Sequence, residues 1–577
     1  LVVQAFSREQ PENWRSGWGM FLIAVILLGL AVLFWHSYYD AVFQGLIYND
    51  AMDYASIARN IALGEGLISQ YLTPLGLAHH GVPQPDLWRA PLWPLVLACF
   101  QKVFGFIDEA AALAGGCCFA ASAVLVFLLG CRFFNIFVGI SSCLLFIFSG
   151  QLLSFSISGL TEPLAILLML SWVFALTSFS GRRWWGGLFA GGITGLFYLC
   201  RYNAILFLLP GMVYWVWRYF QNFSQQKLRA AEVANCQNLL LQSEQNRFSQ
   251  ELEPNRRPYL TAVTKCLVFL LGFFLVVSPW LGRNFVLTGN PFFSLQKYEP
   301  AMFTKTYPDY SLYMIPERID VLAFVREHQE ELIVKIREGW SSFQKEFSTS
   351  EFTGVAGFVF WCFLFSLILP LGKKHPRQRG LRLLLASCFL FQLLALLPLH
   401  YISRLFIIFA PFYMIYAAGA VWWLAASCGE HLLLPLYRRL LAVLVLTIFT
   451  IGGVWANFPD FKPQLAGPHP RELRSAVLQD VAKVVPEDMV VVSNEGHLFA
   501  WYGRRYACKL PYSPALLEEV CRLAPVEALF VSNWITWNLP EADPAWIKFY
   551  LQRPDHFQDF KLVKIYPDCS LLYLRQE

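Results

Sequence analysis

About eleven stretches of roughly 20 mostly apolar residues run through this chain, and they decide what it can fold into. They lie near 17–38, 111–130, 134–153, 162–180, 185–200, 203–218, 261–280, 352–371, 381–398, 405–426 and 439–456. Segments of that length and polarity suit hydrocarbon, where every backbone amide must be bonded within its own segment, so each is expected to be helical. The composition agrees. The chain is 56% hydrophobic and 15% charged, with mean hydropathy +0.46, whereas soluble domains carry about 25% charged residues. The net charge of +5 comes with no basic stripe, which argues against a nucleic-acid partner. The 14 cysteines form no CxxC pair, and several, such as Cys117, Cys118 and Cys143, sit inside apolar runs as small hydrophobes.

The run from Trp18 to Trp35 is too long for a cleavable signal and reads as a retained anchor. Lys and Arg in the short loops then set orientation. With Arg8 and Arg15 inside, Arg132, Arg182-Arg183, the polar 219–260 loop, Lys373-Lys374-His375-Pro376-Arg377 and Arg438-Arg439 also fall inside. This requires that 91–107, short and with two prolines, lie on the outer face as an interfacial helix. The expected topology has the N-terminus cytoplasmic and the C-terminus outside, as in a multi-pass protein of a bacterial inner membrane.

Three pieces are then extracytoplasmic: 39–110, 281–351 with an amphipathic stretch from Pro316 to Phe347, and the tail from about 457. In the tail, Arg471 to Val485 reads as helix and Met489 to Val492 as a buried strand. Pro514 to Leu523 reads as helix capped by Ser513, and Ala528 to Val531 as a second strand. That alternation predicts a small α/β domain. The expected organisation is a membrane domain over 1–456 and an extracytoplasmic α/β domain over 457–577. Cys508, Cys521 and Cys569 could include one disulfide.

Residues able to do chemistry cluster at the outer ends of the spans. Asp50 and Asp53, three apart, share a helix face directly after the first span. They read either as a helix cap with a solvated carboxylate or as a general base at the membrane surface. Glu162 starts the fourth span, either as an acid favoured by the helix dipole beside Thr161 or as a cavity-facing group. Arg89, Arg201, Arg283 and Arg404 all fall at outer ends, against the usual charge bias. Headgroup snorkelling explains one such arginine; binding of a lipid phosphate by guanidinium forks explains four. His79-His80 is a candidate metal pair, although adjacent His side chains converge poorly. Arg326 to Glu338 reads as a solvated helix face.

In order along the chain come Asp50 with Tyr54-Ala55-Ser56-Ile57-Ala58-Arg59, Arg89-Ala90-Pro91-Leu92-Trp93-Pro94, Glu162, and Arg201-Tyr202. Pro279-Trp280-Leu281-Gly282-Arg283-Asn284 and Thr288-Gly289-Asn290-Pro291-Phe292 follow. This series resembles the GT-C superfamily, in particular the protein O-mannosyltransferase-like family that includes bacterial aminoarabinose transferases. The resemblance implies an all-α GT-C membrane fold and transfer of a sugar from a polyprenyl-phosphate donor to a lipid, glycan or protein acceptor on the outer face, with inversion. It implies Asp50 as catalytic base with Asp53 and Glu162 beside it. Arg89, Arg201, Tyr202, Arg283, Arg404 and Arg59 become the substrate-binding candidates. Relatives often carry Asp-Glu where this chain has Asp50-Ala51. No cofactor is certain, and a divalent metal is left open. A multi-pass transporter or lipid flippase is the alternative, although no internal repeat of the kind common in transporters is visible.

Overall fold

The computed structural model describes residues 17–179, 184–221, 258–369, 371, 376–428, 434–463, 471–536 and 543–576. Arg8, Arg15, Arg182-Arg183, most of the 219–260 loop and Lys373-Lys374-His375 lie outside the described residues.

Each of the eleven apolar segments contains helix among the described residues, with breaks at 148–149 in the third segment and at 354–356 in the eighth. Among the described residues, six helices are long and apolar enough to cross a membrane by themselves. Ile136–Ile147 and Gly150–Ile157 make a seventh candidate, bent by 58°. Glu162–Ser178, Trp185–Cys200 and Gly357–Ile368 are apolar but shorter. The first helix, α1 (Gly17–Val42), turns Trp18 and Leu33 outward, as a lipid-facing surface requires. Trp184–Cys200 and Pro258–Thr288 pack at very short range. A Cβ on Gly191 would collide with the Phe269 carbonyl, and one on Gly272 with the Leu188 carbonyl. Small residues substitute here for the hydrophobic drive that lipid cannot supply between helices.

Next along the chain, α2 (Asn49–Leu63) follows α1 after a short turn. The interfacial segment is the helix α3 (Leu92–Phe104), which buries Trp93, Leu97 and Ala98 and exposes Val103 and Phe104. The amphipathic outer stretch forms Val321–Glu327 and Gln329–Glu346. Within its charged run Lys335 departs from the expected solvated face. It is buried, and its Nζ donates to the carbonyls of Glu299 (2.7 Å), Pro300 (3.2 Å) and Met302 (2.7 Å).

The tail carries strands and helices around one sheet, and that sheet borrows a strand from far away. Its members are β1 (Tyr71–Leu72), β2 (Val490–Ser493), β3 (Tyr506–Lys509), β4 (Val526–Val531), β5 (His556–Phe557), β6 (Phe560–Ile565) and β7 (Leu571–Arg575), in the order β1-β3-β2-β4-β7-β6-β5. The first four are parallel and the last three antiparallel. Strand β1 belongs to the first outer loop and pairs Tyr71 with Ala507 and Leu72 with Cys508. Ser513 precedes the Pro514–Leu516 turn but makes no side-chain cap; Pro514, with no N–H to satisfy, starts the turn instead. Cys508, Cys521 and Cys569 are free thiols, so no disulfide links them.

Two side chains lock the tail to the membrane domain. Asp108 accepts hydrogen bonds from Leu46 N (3.1 Å), Trp501 Nε1 (2.6 Å) and Tyr502 Oη (2.7 Å). Arg59 donates to the carbonyls of Trp501 (2.7 Å) and Ala500 (2.5 Å) and to Gln70. Both grip the π-helical turn Phe499–Gly503. Asp108→Ala removes the acceptor of two buried donors, Leu46 N and Trp501 Nε1, and of the part-buried Tyr502 hydroxyl, and is expected to cost about 2–4 kcal/mol. Limited proteolysis of the full chain should then cut the tail faster while the membrane helices stay protected; an unchanged tail would show that the Asp108 contacts add nothing.

Candidate active site

The loop that carries Arg89 is fixed before any charge is paired. Asp86 Oδ1 accepts from the backbone N–H of Trp88 and of Arg89, both at 3.0 Å. Tyr202 Oη donates to the Arg89 carbonyl at 2.9 Å. The Arg89 guanidinium stacks between Trp88 (4.9 Å) and Tyr54 (5.0 Å). It reaches Asp53 through Nε (2.6 Å) and Asp50 through Nη2 (2.9 Å), because residues three apart on α2 face the same way. Asp50 is not a helix cap: α2 begins at Asn49 and Tyr48 occupies the cap position without a side-chain bond.

Arg201 and Arg404 both stand at interruptions of regular helix. Arg201 is extended between Trp184–Cys200 and the 3-10 turn Tyr202–Phe207. Arg404 is the second residue of the 3-10 run Ser403–Phe409, which follows the extended Ile402 and leads into Ala410–Cys428. These breaks aim the side chains across the helix ends. Arg201 Nη2 lies 2.7 Å from Glu162 Oε1, and Arg201 Nε donates to Thr161 Oγ1 at 2.8 Å. Thr161 therefore serves Arg201 and makes no side-chain cap. Arg404 Nη2 takes the second Asp50 oxygen at 2.6 Å, and its Nε is 3.8 Å from Glu162. Gly159 makes room: it has φ +76°, and a Cβ there would lie 2.7 Å from Leu46.

Three carboxylates and three guanidiniums thus interlock, and Asp50, Arg89, Glu162, Arg201, Tyr202 and Arg404 line one cavity of about 800 Å³. Asp53 is buried behind it. Burial alone would raise the Asp50 carboxyl, but Arg89 and Arg404 hold it well below the ordinary carboxylate range. Glu162 is 1% exposed, and Arg201 Nη1 has no hydrogen-bond acceptor among the described residues.

The other sequence candidates lie elsewhere. Arg59 holds the tail, as described above. Arg283 stacks on Trp280 (4.5 Å) and donates to Asn284 Oδ1 (3.1 Å) and the Leu67 carbonyl (3.3 Å), outside the cavity lining. His79 Nε2 pairs with Tyr298 Oη (2.8 Å) and His80 Nδ1 with the Gly81 carbonyl (3.1 Å), so the two rings do not converge. The cavity also contains residues that the sequence did not single out: His497, Lys509, Glu299 and the aromatic rings of Trp88, Tyr310 and Tyr313. His497 stacks on Tyr71 at 3.5 Å, and burial beside Arg89 keeps its imidazole neutral, well below the usual range.

Residues 88–232 match the family model for dolichyl-phosphate-mannose-protein mannosyltransferase. No curated protein matches by sequence. Among solved structures the chain is similar to the oligosaccharyltransferase of Archaeoglobus fulgidus in complex with Zn and sulfate. That match has TM-score 0.51 and 12% identity, over 95% of this chain and 73% of that one. The apo form of that protein gives TM-score 0.50 and 12% identity, over 91% and 71%. ArnT from Cupriavidus metallidurans bound to undecaprenyl phosphate also gives TM-score 0.50 and 12% identity, over 97% and 98%. The donor set here does not fit a divalent cation. Asp50, Asp53 and Glu162 are each already matched by a guanidinium, and among the described residues no group of three or more His, Cys, Asp or Glu is placed to hold a metal ion. By fold and by the sequence pattern of residues 88–232, the chain is a multi-pass membrane protein with the architecture of the GT-C glycosyltransferases.

Proposed function

We propose that the chain is a membrane glycosyltransferase that moves a sugar from a polyprenyl-phosphate donor to an acceptor hydroxyl at the extracytoplasmic face. The observation that carries this reading is the meeting of Asp50 with Arg89, Arg201 and Arg404 on one cavity at the ends of membrane helices. The cavity's inner wall, with Ile205, Leu206, Leu396 and Leu405, suits the start of a lipid tail. Arg404 is the most exposed of the three guanidiniums, and Arg201 keeps an N–H without an acceptor, so these two would take the phosphate oxygens.

The acceptor hydroxyl loses its proton to Asp50 as its oxygen bonds to the anomeric carbon. The bond from that carbon to the phosphate oxygen breaks, and polyprenyl phosphate leaves with its charge met by the arginines. A single displacement inverts the anomeric centre. As it stands Asp50 is a weak base, since both of its oxygens are held by guanidiniums. A donor phosphate that draws Arg404 away removes one of them and raises the proton affinity of Asp50, so the base strengthens when the donor is bound. Glu162 holds Arg201 in place for the phosphate.

Asp50→Asn should lower transfer from a labelled polyprenyl-phosphate sugar by about 10²–10⁴-fold without loss of folding. Near-normal transfer would remove Asp50 from this role. The acid limb of kcat should lie at higher pH than that of kcat/KM, because kcat reports the donor complex and kcat/KM the free enzyme with its depressed carboxyl. Coincident limbs would mean that Arg404 never leaves Asp50. Glu162→Gln leaves Arg201 buried without a counter-charge and should cost about 3–5 kcal/mol in thermal unfolding; an unshifted melting point would show the pair to be dispensable.

A further inference from the structure

Part of the cavity lining is built from the tail and the 281–351 loop. Tyr71 belongs to β1, His497 follows β2, and Lys509 ends β3. The parallel strands of the tail therefore present their carboxyl ends to the cavity, the usual place for a ligand on such a sheet. Facing them, the outer loop supplies Gln296, Glu299, Tyr310 and Tyr313.

Two features of this wall point to a ligand. The first is a continuous row of rings. His497 stacks on Tyr71 (3.5 Å), Tyr71 is 6.4 Å from Trp88, Trp88 is 4.3 Å from Tyr313, and Tyr313 stacks on Tyr310 (6.1 Å). The row starts at the reacting charges, since Trp88 also carries the Arg89 guanidinium. The second is a set of planar polar groups with nothing to bind. Among the described residues, the side chains of His497, Glu299 and Gln296 make no hydrogen bond, although all three line the cavity. Burial raises the Glu299 carboxyl to about 7, so near neutrality it can donate as well as accept.

Tyr71 and Tyr313 are buried within the row, whereas Trp88 and Tyr310 stay partly exposed; such aromatic surface flanked by a few convergent polar groups suits a ligand that has a flat C–H face and a rim of hydroxyls. A peptide acceptor held by strand addition needs a free edge of several residues, and the sheet edge beside the cavity, β1, has two. We infer that this wall is the acceptor subsite and that the acceptor is a saccharide, a sugar ring packed against Trp88 and Tyr310 with its hydroxyls held by Gln296, Glu299 and His497. The inference rests on the glycosyl-transfer reading above and names the class of acceptor for the same cavity. The same ring chemistry could arrive as a free glycan or as the headgroup of a glycolipid.

The test uses the full chain in lipid nanodiscs, offered an immobilised panel of oligosaccharides and glycolipids, a matched panel of Ser/Thr peptides and, separately, undecaprenyl phosphate. Saccharides should be retained and peptides not. Gln296→Ala and Glu299→Ala should each weaken saccharide binding by about tenfold or more while undecaprenyl phosphate binding changes by less than about twofold. Retention of glycolipids alone identifies the lipid-linked source and supports the subsite; retention of free oligosaccharides identifies the soluble one and supports it equally. Retention of peptides only, of neither panel, or saccharide binding unmoved by both variants would overturn it. Saccharide binding without any undecaprenyl phosphate binding would sink the donor assignment and leave the acceptor subsite standing.

Discussion

Three acids and three arginines hold one another in place at one end of the membrane helices, and the rest of the molecule is arranged around that mutual neutralisation. None of these groups is stable alone in such surroundings, since an unpaired buried ion costs several kcal/mol. Asp53 and Arg89 are almost wholly buried, as are Glu162 and Arg201. Only the pair formed by Asp50 and Arg404 is partly open to the cavity. The cluster is thus graded, with fixed pairs behind and an exchangeable pair in front. That is the arrangement a site needs if an incoming anion is to replace one partner without unravelling the others.

The scaffold serves that grading by breaking regular structure where the charges stand. Arg201 lies between an α-helix and a 3-10 turn, Arg404 stands at the start of a 3-10 run that follows extended backbone, and Gly159 turns the chain just before Glu162. Continuous helices would have pointed these side chains at neighbouring lipid-facing turns. The breaks are tolerated because the freed backbone groups face a polar cavity, the one environment at membrane depth where irregular backbone is affordable.

Much of this was legible in the amino-acid order. Apolar runs identify helices because hydrocarbon leaves the backbone no alternative. Asp50, Arg89, Glu162, Arg201 and Arg404 stand out because a charge beside an apolar segment demands a reason. Other parts left no local trace. Arg59 and Arg283 look the same in sequence as the cavity arginines, but their acceptors are mostly backbone carbonyls, which carry no residue signature. His497, Lys509 and Glu299 lie in polar surroundings where such residues draw no notice, and only long-range pairing brings them to the cavity. The tail strands at 490–493 and 526–531 were visible as apolar runs, whereas β1 is two residues long and is defined wholly by its partner. Lys335 shows the reverse case, a charge within a charged helix that is nonetheless buried.

The seam at β1 bears on the order in which the molecule can be completed. Tyr71 and Leu72 emerge early in synthesis, but the strand they join lies near the far end of the chain. Contacts so distant along the polymer form late, since their closure entropy must be met before they return anything. The tail's share of the cavity lining is therefore the last part to be built, after every intervening helix. A polypeptide interrupted anywhere before its final hundred or so residues would leave the acids and arginines facing open water, a half-chamber with no lid.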